Sequence, residues 1–379
     1  MQLSDERIAL KESAFKFTER EIIPNLDQWE QDGELPRDLH IRTAQAGLLG
    51  VGYPQEVGGE GGDLLDACAM QEGFMAAGAS GGLMASLFTH GIALPHMVSN
   101  GSQHLIDTYV RPTLAGAMIG SLAVTEPGGG SDVAGITTKA ERDGDEYVIN
   151  GSKTFITSGV RADFVTTAVR TGGPGHAGIS MLVVDAETPG FTVTRSLRKM
   201  GWNASDTAEL SYVDVRVPAT NLIGEEGQGF YYIAQQFVVE RIFLALMGYG
   251  HAARALELTA QYCKDRETFG KPLVANQVVR AKLVEMHRQV EVARTYTLEV
   301  ARRHVNGENV IAEACLAKQT AVDTAVLVCS EAVQLFGGTG YMHGTEVERH
   351  YRDVRILPIG GGATEVLTDL AARLLGYAP

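Results

Sequence analysis

Cysteine is scarce in this chain of 379 residues: Cys68, Cys263, Cys315 and Cys329 lie far apart and form no CxxC pair. That excludes a disulfide framework and a thiolate metal site, and leaves four reduced core residues. Positive charge is also in deficit. Lys and Arg total 32 against 46 Asp and Glu, a net charge of −14, so the broad basic field that nucleic-acid binding needs is missing. A local basic spot can still hold a small phosphorylated ligand. No apolar run approaches the ~20 residues of a membrane span. The N-terminus, MQLSDERIALKESAFKF, has neither a secretory apolar stretch nor an arginine-rich transit character, so a soluble cytoplasmic protein is expected. There is no HExxH, and the ten histidines are scattered, so no metal is expected. The glycine-rich GEGGD at 59–63 does not open a helix after a strand within a βαβ unit, which argues against a nicotinamide fingerprint.

What remains is an ordinary globular composition, 45% hydrophobic, in a chain too long for one core. Its texture changes twice. From Ser4 to about Leu114 apolar residues recur at helical spacing, broken by loops at PRDL and YPQEVGGEGGD, which predicts an N-terminal helical domain over 1–120. Short runs rich in Val, Ile, Thr, Phe and Tyr follow, among them EYVINGSKTFITSG, DFVTTAVR, ISMLVVDA and AELSYVDVRVP. They predict an antiparallel β domain over 121–227. Helical periodicity then returns over 228–264, 274–305 and 308–336, with breaks at Pro272 and Asn306-Gly307, so 228–379 is expected to be a helical bundle.

Three stretches carry more than a fold requires. LAVTEPGGGSDVAGI (122–136) and NGSKTFITSG (150–159) read as a turn ahead of a strand, which leaves the hydroxyls of Thr125, Ser131 and Thr157 unexplained. RILPIGGGATEVL (355–367) sets three glycines between a strand-like apolar run and a helix pattern. That is either a helix start after Pro358 or a loop whose N–H groups face a phosphate, a ring or a thioester. In FVVERIFLALM, Glu240 and Arg241 are the only charges. Buried charges are costly unless paired or functional, and composition leaves an ion pair, an exposed edge and a working carboxylate open.

TEPGGGSD followed by NGxKxxIT resembles the flavin-facing segments of the acyl-CoA dehydrogenase family. The likeness continues in order through RKMGWNASDTAELSYVDVRVP, RETFGKPLVANQ, QLFGGTGYMHG and RDVRILPIGGGATEVL. It covers essentially the whole chain and is strongest to the long-chain and isovaleryl subgroups. The resemblance implies three domains: N-terminal helices, a middle antiparallel β-barrel or sandwich and a C-terminal four-helix bundle. It also implies FAD as cofactor, an acyl-CoA substrate, electron-transferring flavoprotein as acceptor and a homotetramer. Leu122, Val124 and Thr125 would line the isoalloxazine ring, with Gly130 and Ser131 in the same loop, Ser131 also holding the CoA portion. Phe155, where many relatives carry Trp, would cover the other side with Ile156 and Thr157. Arg266, Phe269, Gln277, Gln334 and Gly338 would bind the adenine half of FAD on a neighbouring subunit. Thr364 and Glu365 would touch FAD, while Ala363 stands where relatives often have Thr.

Short- and medium-chain members carry their catalytic glutamate inside the glycine loop, at the position of Gly361. Long-chain and isovaleryl members place it on a helix, in an ER pair matched here by Glu240 and Arg241. The resemblance therefore implies Glu240 as the base that takes the α-proton, while a hydride leaves the β-carbon for the flavin. Arg241 would meet the CoA side. The Gly361 N–H, with a flavin ribityl hydroxyl, would hold the thioester oxygen. The three glycines are expected to leave free volume for a branched or thick acyl chain. Two alternatives stay open: an oxidase that uses oxygen, and a non-catalytic subunit of a mixed oligomer.

Overall fold

Ser4 accepts a hydrogen bond from the Arg7 N–H and starts the first helix, α1 (Asp5–Phe17). A reciprocal capping box between Asp63 and Asp66 starts α2 (Leu64–Ala76), satisfying backbone donors that a helix start leaves open. Shorter helices lead to the β domain. The computed structural model describes residues 4–378.

The strands are β1 (Gly120–Ala123), β2 (Lys139–Asp143), β3 (Glu146–Thr157), β4 (Phe164–Arg170), β5 (Ile179–Asp185), β6 (Phe191–Ser196) and β7 (Thr207–Pro218). They form one seven-stranded sheet in the order β1-β4-β2-β3-β7-β6, with β5 on β4. The sheet encloses a core of its own, to which Ala123, Tyr147, Val165, Leu182 and Leu210 all contribute. Most neighbouring strands are antiparallel, as expected, and the parallel contacts are those of β1 and β2 with β4. β1 pairs with β4 in parallel, Gly120 opposite Phe164, because the chain makes a long crossover between them instead of a hairpin. β3 and β7 pair antiparallel over most of their length, with a register shift between Lys153 and Ile156.

The third region is helical: α3 (Gly229–Asp265), α4 (Gln277–Val305), α5 (Ile311–Phe336), α6 (Glu346–Val354) and α7 (Thr364–Leu374). A small hairpin, β8 (Glu267–Thr268) and β9 (Lys271–Pro272), links α3 to α4. α3, about 55 Å long, is the axis of the molecule. Its Ile242, Ala245, Leu246 and Tyr249 share one core with Phe74 and Met75 of α2 and with Ala321 and Ala325 of α5. The two helical regions are thus welded along α3, and the β domain packs beside its start. All four cysteines are buried and free.

The run RILPI is not a strand. Its backbone closes local turns, Leu357 N–H to Val354 O and Gly360 N–H to Ile356 O, so it uses none of its groups on a sheet and α7 begins only at Thr364.

Candidate active site

Glu240 and Leu244 lie one turn apart on α3 and face the glycine loop. A Cβ built on Gly361 would stand 3.2 Å from Glu240 Oε1 and 2.1 Å from Leu244 Cδ1, at φ +62. Both the backbone conformation and the space therefore demand glycine there. Gly362, at φ +94, would meet Leu367 Cδ2 at 2.8 Å. The expected free volume is consequently not free: Leu244 and Leu367 fill it at 361 and 362, and only Gly360 has an open side, its nearest neighbour 3.7 Å away.

Glu240 has no hydrogen-bond or ion-pair partner among the described residues, and its side chain is half-buried. Enough protein surrounds the carboxylate for desolvation to raise its pKa above the ordinary range, while the positive charges of Lys318 and Arg241 pull it back. Arg241 is buried at 6% exposure. Its guanidinium lies 5.4 Å from the Phe237 ring centroid, and its Nε has no partner among the described residues. Lys318 of α5 is 1% exposed; its Nζ donates to Gly360 O and, at 2.7 Å, to Gly362 O. The Gly361 N–H makes no hydrogen bond to any described residue.

A second group of residues meets where β1 runs beside the end of β3. The Thr154 N–H donates to Thr125 O at 2.9 Å, Lys153 Nζ to Val124 O at 2.9 Å and Ser121 Oγ to Thr157 O at 2.6 Å. Leu122, Val124, Thr125 and Thr157 are thereby gathered on one part-exposed face. Phe155 stands out from it, 68% exposed at φ 59, inside the register shift of β3. A non-glycine residue at positive φ holding a large ring in water is costly unless something covers the ring. Ile156 differs from expectation. Its side chain is 2% exposed and belongs to the β core with Tyr147 and Ile149, because the register shifts along β3 change which residues point inward, so only its backbone reaches this face. Gly130 and Ser131 are exposed, and a Cβ at Gly130 would meet Thr125 Cγ2 at 3.2 Å, which puts their loop against Thr125.

The remaining residues form a third group at the far end of α3. Tyr262 stacks on Phe336 with ring centroids 4.1 Å apart, which joins the end of α3, one turn before its C-cap Arg266, to the end of α5, in the stretch that runs from Gln334 to Gly338. Phe269 projects fully into solvent from the β8–β9 turn at φ 52, and Gln277 opens α4 on the surface. This cluster lies about 38 Å along the helix axis from Glu240. Thr364 starts α7 next to the glycine loop, its N–H bonded to Pro358 O at 3.0 Å, and Glu365 is exposed in the first turn. The N-cap residue, Ala363, supplies no side-chain oxygen.

Sequence reasoning missed two lysines. Lys318 was visible only as a lone charge in the alanine-rich ACLAKQTAV, the same signal that drew attention to Glu240. Lys153 is fully buried against Glu126, 3.0 Å from Oε1. Glu126 also accepts from Thr137 N, Thr137 Oγ1 and Thr138 N. These bonds, with the charge of Lys153, outweigh desolvation and hold its pKa at about 2, while burial lowers that of Lys153 to about 8. Together they staple the loop after β1 to β3.

Comparison with known proteins adds a separate line. Family models for the N-terminal, middle and C-terminal domains of acyl-CoA dehydrogenases match residues 4–117, 121–215 and 227–376. The mitochondrial long-chain specific acyl-CoA dehydrogenase of Sus scrofa is 37% identical over 98% of this chain and 86% of its own length. The crystal structure of a probable acyl CoA dehydrogenase from Mycobacterium abscessus matches with a TM-score of 0.98 at 59% identity, covering 98% of this chain and 99% of that one. An acyl-CoA dehydrogenase structure from Geobacillus kaustophilus matches with a TM-score of 0.94 at 37% identity, covering 98% of both.

Proposed function

This chain belongs to the acyl-CoA dehydrogenase family, flavin-dependent oxidoreductases of acyl-CoA thioesters, and from that premise we propose that it forms a trans-2-enoyl-CoA with Glu240 as the base. The observation that carries the reading is the approach of the Glu240 carboxylate to the Gly361 backbone, within 3.2 Å of where a Cβ at 361 would stand. A carboxylate with no ion-pair partner among the described residues and an N–H with no acceptor among them thus lie close together. A thioester whose oxygen accepts from Gly361 N–H has its α-carbon near Glu240, and the N–H stabilises the negative charge that develops on that oxygen as the proton leaves. Burial raises the proton affinity of Glu240, which suits it to accept a proton near neutral pH.

The residues also fit FAD. Phe155 offers an uncovered ring, Thr125 and Thr157 offer hydroxyls beside it, and the hydrogen bonds that tie β1 and the segment after it to the end of β3 keep them on one face. FAD bound there supplies the acceptor for the hydride that leaves the β-carbon. Leu122 and Val124 line that face, and Ile156 contributes backbone alone. Ser131 meets the CoA portion. Arg241 lies beneath Phe237, so its part is electrostatic, through Glu240, as much as contact with the CoA side. Arg266, Phe269, Gln277, Gln334 and Gly338 would hold the adenine half of an FAD shared with another subunit. Their distance from Glu240 of the same chain favours this sharing, and the assembly we propose, on the family resemblance, is a homotetramer. Thr364 and Glu365 border the cofactor beside the glycine loop. Electrons pass on to an electron-transferring flavoprotein.

The test is anaerobic flavin bleaching with a panel of straight, branched and ring-bearing acyl-CoAs. Bleaching by at least one, with a dye or flavoprotein needed for turnover, is expected. Purified chain that stays colourless after added FAD would make it a non-catalytic subunit, and turnover that consumes oxygen would make it an oxidase.

A further inference from the structure

Lys318 is a poor choice for its surroundings if packing alone matters. Its neighbours along α5, Ala314, Cys315, Ala317, Ala321 and Val322, are all buried. A buried ammonium is expensive unless its protons find acceptors. They find two, both in one loop: Gly360 O and Gly362 O. No hydrogen bond joins Lys318 to Glu240.

The consequence follows from peptide geometry. A trans peptide points its C=O and N–H in opposite directions. Fixing Gly360 O on Lys318 therefore turns the Gly361 N–H away from α5. Three consecutive glycines leave this loop with wide conformational freedom, and a flip of the 360–361 peptide would present a carbonyl where a donor is required. We propose that Lys318 is the positioning residue of the glycine loop, holding the Gly361 N–H toward the thioester oxygen and keeping a positive charge near Glu240. This rests on the reading of Gly361 as the oxygen's donor. The charged and titratable groups around the ammonium are Glu240 and Arg241 from α3 and Cys315 on its own helix. Among them Glu240 is the anion whose ionised form the ammonium favours.

The test compares wild type with Lys318→Met, which keeps most of the length of the side chain and removes its donors and charge. The thioester C=O stretch of bound enoyl-CoA, read by Raman difference spectroscopy, reports the Gly361 hydrogen bond directly, without turnover. In Lys318→Met it should return toward the frequency of free thioester. Anaerobic flavin reduction should fall about 100-fold, as when an oxyanion donor is lost, with kcat affected more than KM. The acid limb of the pH–rate profile should move upward, since Glu240 loses a positive neighbour. Should the Met variant lose its flavin, Lys318→Gln, which keeps an N–H donor group on a shorter side chain but no charge, should show the same shifts at smaller size. A wild-type carbonyl stretch together with wild-type flavin reduction in the variant that holds FAD would overturn the proposal. A wild-type protein that neither bleaches nor shifts the carbonyl of any acyl-CoA would instead overturn the reading of the site itself.

Discussion

Replacing Glu240 by glutamine keeps the shape of the side chain and removes its ability to accept a proton. A positioned general base contributes about 10²- to 10⁴-fold, or roughly 3–5.5 kcal/mol at 1.36 kcal/mol per decade. Because Glu240 has no ion-pair partner to leave stranded, the loss should fall on chemistry and not on folding. The sign of the pH linkage says the same. A carboxylate whose folded pKa is raised takes up protons on folding between its unfolded and folded values, so its contribution to stability falls as pH rises through that window. Glu240→Gln should thus be at least as stable as wild type at neutral pH by thermal melting. Stopped-flow flavin bleaching under anaerobic conditions should slow by orders of magnitude, while FAD content and acyl-CoA binding persist. In wild type the acid limb of flavin reduction should lie above the ordinary carboxylate pKa of about 4.3. Moving the carboxylate to the loop is the sterner version. Gly361→Glu must adopt φ +62 and displace Leu244 Cδ1, only 2.1 Å from the new Cβ; the backbone alone costs about 1–2 kcal/mol. Glu240→Gln with Gly361→Glu should therefore recover little, and adding Leu244→Ala should recover more. Wild-type bleaching by Glu240→Gln alone would refute the assignment of the base.

Lys153→Met should leave Glu126 buried without its cation, costing about 3–5 kcal/mol, seen as a lower Tm and reduced FAD content. The stability that Glu126 itself contributes is present above its unfolded pKa and lost as pH falls toward about 2, so acid unfolding of wild type should carry this step and Glu126→Gln should lack it. Arg266→Ala should lower FAD content and weaken the homo-oligomer together, because cofactor and assembly are linked if the site spans subunits; an FAD-replete monomer in sedimentation would contradict this. With product bound, the reduced enzyme should react slowly with oxygen because the site is closed to it. Peroxide released as fast as a dye is reduced would mean an oxidase.

Sequence by itself determined the helix, β, helix order, because hydrophobic periodicity is a local property written into each segment. It also singled out Glu240 and Arg241, as charges in an apolar helix, and the glycine loop, as a place where side chains are excluded. It did not determine why. The strand-like run before the glycines became turns, and β1 became a parallel neighbour of β4, because pairing depends on which distant segment arrives alongside. Ile156 turned inward and Phe155 outward through a register shift that no composition reveals. The meeting of Glu240, Leu244, Gly361 and Lys318 was decided only in three dimensions. They come from α3, α5 and the loop before α7, and nothing local to any of them specifies the others. Tertiary packing alone sets an ammonium against two carbonyls of that loop, and so decides which way a backbone N–H points.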